Sequence, residues 1–221
     1  MRLLIVTTHA IQYFAPLYRE LARRPGIDLT VAYSTDLGMR ETFDRQFGRN
    51  VKWDVPLTEG YRWVVMPEHA GGTSIPGPLQ RRNWSVWRLV AEHDAVLLSS
   101  FLSVTDQVAV WSAVAHGKPI LYRSETPMMT KRTGWGRALR VAVLPQLFRL
   151  ISGAIYPGVQ ARAYLKHYGV PDERLHFGPY AVDNERFVKQ AAELLPNQCE
   201  IRKSFGLDPS LPVILFCGKP E

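Results

Sequence analysis

Cysteine is nearly absent from the chain: Cys199 and Cys217 are the only two in 221 residues. Neither belongs to a CxxC or Cys/His arrangement of metal-ligand spacing, so no disulfide framework and no zinc site is indicated. A DxD carboxylate pair, which would hold a divalent cation against a diphosphate, is missing as well. No run approaches the ~18 to 20 uninterrupted apolar residues that a spanning helix requires. The apolar stretch at Leu3 to Val6 is too short for a signal-peptide core. The expected location is cytoplasmic.

Acidic residues are also in the minority. Twenty Asp and Glu face 27 Lys and Arg, giving a formal net charge of +7 and a pI near 9.6. Such a balance calls for an anionic partner: a phosphorylated small molecule, a membrane surface or nucleic acid. The basic residues are spread over an α/β pattern with no recognition motif, which argues against nucleic acid.

What the chain does contain is an ordinary apolar fraction, 46%, and a length that suits one substantial domain plus part of another. Its first twenty residues set the pattern. Leu3 to Val6 is an apolar run, Thr7, Thr8 and His9 form a polar corner, and Tyr13 to Arg24 places Phe14, Leu17, Tyr18 and Leu21 at helical spacing. Pro25-Gly26 then stops the helix before a β-rich run, IDLTVAYS.

Residues 35–68 are richer in charge and aromatics and read as an insertion with short extended pieces around Val51 to Trp53 and Tyr61 to Val65. Residues 69–78 form a loop in which Gly71-Gly72 is a weak phosphate-approach signal. Beyond it, helices at 84–93, 104–116, 137–151 and 159–168 alternate with strands at 94–99, 120–122 and 153–156. Alternation with short connections predicts an α/β fold with a doubly wound, Rossmann-like parallel sheet. From Asp183 the pattern loosens, with a helix expected at 198–205. Val213 to Cys217 reads as a fresh buried strand, the start of a second domain. The expected division is 1–190 and 191–221.

In an open α/β sheet the loops at the carboxyl ends of the strands surround the ligand crevice. That rule makes His9 a candidate general base or hydrogen-bonding group, with Gln12 and Tyr13 at the start of the first helix beside it. The bland alternative for His9 is a loop histidine bonded to backbone. Arg123, Ser124 and Glu125 follow the strand ILY directly; Arg123 suits a phosphate and Glu125 a sugar hydroxyl, unless the two merely pair. Lys131 and Arg132, with Trp135, Arg137 and Arg140, lead into an apolar helix. They suit either peripheral contact with an anionic membrane or the solvated face of a core helix.

The order of these motifs resembles the retaining GT-B glycosyltransferases of family 4. THAIQYFAPLYREL is similar to the first strand and helix of one bacterial branch, and FGRNVKWDVPLTEGY to an insertion of that branch. VPDERLHFGPYAVDNERF resembles the stretch that closes the N-terminal domain, and LPVILFCGK the first strand and phosphate loop of the C-terminal domain. The resemblance implies two Rossmann-like domains across a cleft, with this chain the acceptor-side domain and the beginning of the donor-side one. It implies a nucleotide-sugar as substrate rather than a resident cofactor, and a glycan, a lipid-linked molecule or a small molecule as acceptor. Gly218 and Lys219 would meet the donor phosphates, and the fragment alone would not complete a catalytic cycle. The sequence departs from the family pattern in offering Arg123 and Glu125 where many members carry a histidine. A nucleotide-sugar epimerase of the same architecture and a non-catalytic module binding membranes or glycans are the alternatives.

Overall fold

The computed structural model describes residues 1–44, 49–51, 53–69, 77–125 and 135–216. Besides short 3-10 turns, the elements in chain order are β1 (Arg2–Thr7), α1 (Ala15–Arg23), β2 (Asp28–Tyr33), β3 (Thr42–Asp44), β4 (Arg49–Val51), β5 (Arg62–Val65), α2 (Val86–Ala91), β6 (Ala95–Leu98), α3 (Val104–Ala115), β7 (Ile120–Arg123), α4 (Trp135–Leu150), β8 (Gly153–Tyr156), α5 (Val159–His167), β9 (Leu175–Phe177), α6 (Asn184–Leu194) and α7 (Gln198–Ser204).

The apolar runs form strands that are buried on both sides, and this dictates the layering. In β1, Leu3 and Ile5 face one core with Ala15 and Tyr18 of α1, while Leu4 and Val6 face a second core. That second core is closed by Val86 and Val90 of α2, Ala109 and Val110 of α3, Phe148 of α4 and Leu165 of α5. Strands apolar on both faces require helices on both faces, which is the doubly wound arrangement.

Seven strands run in the order β5-β2-β1-β6-β7-β8-β9, and every pairing is parallel. The chain moves outward from β1 to β2 and β5, then returns to β6 and proceeds the other way. The order therefore reverses between β1 and β6, so the crevice is expected above their carboxyl ends.

The expected insertion at 35–68 divides in two. β3 and β4 form a separate antiparallel ladder, whereas β5 joins the main sheet as its edge strand. The exposed edge strand β9 and the helix α6 had no clear sequence signal: β9 is three residues long and α6 buries no residue. Of the expected strand at Val213 to Cys217, the start of a second domain, residues 213–216 are described. Residues 213–216 pair with no strand of the described sheets, and Ile214 is 99% exposed. An apolar run becomes a strand only where a neighbouring backbone supplies hydrogen bonds, and among the described residues none does so. Cys217, like Gly71 and Gly72, lies outside the described residues.

Candidate active site

The first wall of the crevice is the loop after β1. It is tied to the loop after β2, since Ser34 N–H donates to the Thr7 carbonyl and Thr35 N–H to the Thr8 carbonyl, each at 2.9 Å. Gly38 permits this close approach. Its φ is +84°, and a Cβ there would lie 2.6 Å from the Ala10 carbonyl oxygen. His9 sits in this corner, and its Nδ1 is buried without a hydrogen-bond partner among the described residues. Burial, with Arg81 nearby as a smaller cause, lowers its pKa below the ordinary 6.5. His9 is therefore a neutral imidazole at neutral pH, suited to hydrogen bonding with a hydroxyl.

Arg81 was not among the sequence candidates. Its backbone is fixed from α3, where Thr105 N–H donates to the Arg81 carbonyl at 3.1 Å and Asn83 N–H donates to Thr105 Oγ1 at 3.0 Å. Ser85 N–H donates to Glu68 Oε1 at 2.7 Å and closes the same loop. A capping box formed by Ser103 and Asp106 starts α3 beside it. The mostly buried Arg81 guanidinium reaches Thr8 Oγ1 at 3.4 Å and Asp106 at 3.9 Å, so a cation is held at the switch point. Nothing local separates Arg81 from Arg82. Its place depends on Thr105, 24 residues away.

The second wall is the end of β7. The Arg123 side chain is nine-tenths buried, with its guanidinium 5.1 Å from the Phe14 ring centroid and 5.5 Å from that of Tyr180. These distances permit cation–π attraction to both rings. Glu125 lies 3.5 Å from Arg123 Nε, but that nitrogen has no hydrogen bond among the described residues. The expected pairing alternative is thus realised as a loose ion pair. Ser124 is fully buried; its N–H donates to the Ile155 carbonyl at 2.9 Å, while its Oγ has no partner among the described residues. A buried polar group left unpaired costs about 1–3 kcal/mol, and three such atoms lie just past or at the carboxyl ends of β1 and β7.

Tyr13 and Tyr180 meet edge to face at 6.3 Å beside Arg123. Burial, then the Glu125 charge, raises both phenols above the ordinary 10, so they remain neutral donors. Glu125 and Tyr180 also line a cavity of about 330 Å³ with Pro157 to Ala161 at the start of α5. Ser99 and Ser100 line a smaller one of about 120 Å³ with Tyr122 and Leu144.

The structure thus brings His9 together with Arg81, and Arg123, Ser124 and Glu125 together with Tyr13. Gln12 is in the turn before α1, half-buried. Lys131, Arg132, Gly218 and Lys219 lie outside the described residues. Phe14 and Tyr180 are further members that sequence reasoning missed; Tyr180 follows the unrecognised β9. Among the described residues no group of three His, Cys, Asp or Glu could hold a metal.

No family model matches the chain, and no curated protein matches it. Solved structures do. HepE of Anabaena in complex with UDP-glucose superposes with a TM-score of 0.59 at 16% identity, over 93% of this chain and 50% of that one. The UDP-GlcNAc 2-epimerase of Neisseria meningitidis bound to UDP-GlcNAc superposes with a TM-score of 0.53 at 14% identity, over 93% of this chain and 53% of that one. The chain spans about half the length of these solved chains. At such identities the shared property is the fold, and this chain has the Rossmann-like α/β fold of half of each.

Proposed function

We propose that this chain is the acceptor-side half of a nucleotide-sugar-dependent glycosyltransferase of the retaining GT-B type, family 4. The observation that carries the reading is the presence of three buried polar atoms without a hydrogen-bond partner among the described residues, His9 Nδ1, Arg123 Nε and Ser124 Oγ, at the carboxyl ends of strands of a doubly wound sheet. The fold shared with proteins crystallised on UDP-sugars supports it as an analogy, since fold alone does not specify function.

In the transfer, the bond from the anomeric carbon to the diphosphate breaks and a bond to an acceptor hydroxyl oxygen forms. The hydroxyl proton leaves with the diphosphate. The chain's contribution is to position the acceptor and exclude water. His9 accepts a hydrogen bond from a hydroxyl, while Gln12, Tyr13, Ser124 and Glu125 orient the acceptor or the transferred sugar. Arg81 and Arg123 supply fixed positive charge where negative charge develops. Residues 1–190 form the acceptor-binding domain and 191–221 lead into a donor-binding domain. In it Gly218 and Lys219 contact the donor diphosphate, while Lys131 and Arg132 border the acceptor. The acceptor is a glycan, a lipid-linked molecule or a small molecule.

The test is a transfer assay on the protein expressed from its full reading frame, using UDP-sugars and a cell-envelope extract as acceptor source. UDP release with formation of a new glycoside is expected, and Arg123→Met should lower kcat/KM by roughly 10²-fold. Absence of UDP-sugar turnover under all conditions would overturn the reading. The second reading, a nucleotide-sugar epimerase, is favoured by the superposition on the Neisseria enzyme. It requires an epimerised sugar, still joined to UDP, in reactions without acceptor.

A further inference from the structure

We propose that the cavity at the start of α5 holds an uncharged sugar ring of the acceptor, seated on Tyr180 beside Glu125. The assignment rests on the transferase reading for the word acceptor, and it narrows the acceptor to one chemical class. Pro157, Val159 and Ala161 give this cavity of about 330 Å³ apolar walls, and Tyr180 and Glu125 add an aromatic ring and a carboxylate. Its volume stands at the lower end of the range for small-molecule sites, which suits a sugar rather than a polypeptide.

Tyr180 is 54% exposed, yet the segment that carries it is fixed on both sides. Before it, Gly178 N–H donates to the Tyr156 carbonyl at 3.0 Å, and a Cβ on Gly178 would overlap the Ile155 side chain. After it, the Asp183 carboxylate accepts from the Arg186 N–H at 3.1 Å and lies 3.9 Å from Arg19 of α1. The ring itself meets Tyr13 edge to face at 6.3 Å. An aromatic platform held in place before the ligand arrives loses little freedom on binding.

Charge decides the class of ligand. Glu125 lines the cavity, so a phosphate or carboxylate placed there meets a like charge. A cation gains little, because the nine-tenths buried Arg123 already faces both groups that would attract it. Arg123 lies 3.5 Å from Glu125 and 5.5 Å from the Tyr180 ring centroid. The ligand that fits is neutral, with hydroxyls to donate to the carboxylate and an apolar face to lie on the ring. A pyranose has both, since its hydroxyls stand at the rim and its C–H groups on the face.

Saturation-transfer NMR on the complete protein reads binding without turnover. The probes are methyl glycosides of neutral hexoses, of uronic acids and of amino sugars, with UDP as a control. Saturation of the ring C–H protons is expected for neutral glycosides, with the charged ones at least tenfold weaker. Tyr180→Ala should weaken binding of the neutral glycosides about tenfold, Tyr180→Phe should restore it, and UDP binding should follow neither change. Glu125→Gln should bring uronic acid glycosides level with neutral ones. No saturation of any glycoside, tighter binding of a charged class, or wild-type binding by Tyr180→Ala would each overturn the proposal. The transferase reading fails by a different result: neutral glycosides bind at Tyr180, and none receives a sugar from any UDP-sugar.

Discussion

The two ends of the parallel sheet are built from similar residues and treated in opposite ways. At the amino end, Arg2 N–H donates to Asp94 at 2.7 Å and the Arg2 guanidinium reaches the same carboxylate at 3.0 Å. The terminal amine donates to the Gly26 carbonyl at 2.7 Å, Asp28 N–H to the Met1 carbonyl at 2.9 Å, and Arg62 lies 3.4 Å from Asp28. Charges there meet in water and satisfy one another. At the carboxyl end, an arginine and a serine more than nine-tenths buried and a mostly buried histidine keep atoms without partners. One end closes the strands with paired charges, and the other keeps buried polar groups without partners among the described residues.

Exchanging features between the ends should break this contrast, and the largest effect is on activity. Arg123→Met is expected to lower kcat/KM of the complete protein by roughly 10²-fold, against less than about threefold for Arg2→Met at the amino end, measured by UDP release. A comparable loss from both would erase the distinction.

Next in size is stability. Asn83 is fully buried, and its side chain ties the Arg81 loop to Thr105, whose Oγ1 donates to Asn83 Oδ1 at 3.0 Å. Asn83→Leu should cost about 2–3 kcal/mol in urea unfolding by stranding its partners. If Asn83→Leu unfolds like the wild type, the loop is not what holds Arg81.

The pH dependence sharpens the contrast further. The folded pKa of His9 lies below its unfolded value of 6.5, so the unfolded chain takes up the proton first. Stability is then complete above that value and declines as pH falls through it, until the folded His9 also protonates. His9→Gln should flatten thermal unfolding between pH 7 and 5. Asp94 has the opposite geometry: its Arg2 partner lowers its pKa below 3.8. Its contribution is present above that value and lost as pH falls through the folded pKa, so Asp94→Asn should alter only the acid limb.

The smallest effect separates function from folding most cleanly. Ser124→Ala removes an unpartnered hydroxyl and should change stability by less than about 1 kcal/mol, in the stabilising direction if at all. Transfer activity should nonetheless fall. A clear destabilisation would mean that Ser124 Oγ has a partner in solution.

Much of the fold was legible because period and punctuation agree in it. Leu3 to Val6, Ala95 to Leu98 and Gly153 to Tyr156 are short apolar runs bounded by polar corners or Gly and Pro, and each became a strand of the main sheet. β9 and α6 were not legible, since neither buries the apolar stripe that periodicity detects. Of the candidate residues, His9, Arg123, Ser124 and Glu125 come from a local rule, that residues at or just past a strand's carboxyl end border the crevice, and the structure places them at the ends of β1 and β7. Arg81 and Tyr180 obey no such rule. Arg81 arrives through a hydrogen bond to Thr105, and Tyr180 follows a strand with little burial. Groups placed by long-range partners leave no trace in local spacing.

The most direct test of the central claim follows a UDP-sugar, isotopically labelled at its anomeric carbon, by NMR with the complete protein, with and without acceptor. A new glycoside of unchanged anomeric configuration is expected, formed only when acceptor is present, together with free UDP. An epimerised sugar still joined to UDP without acceptor, or no change in the labelled signal under either condition, would contradict it.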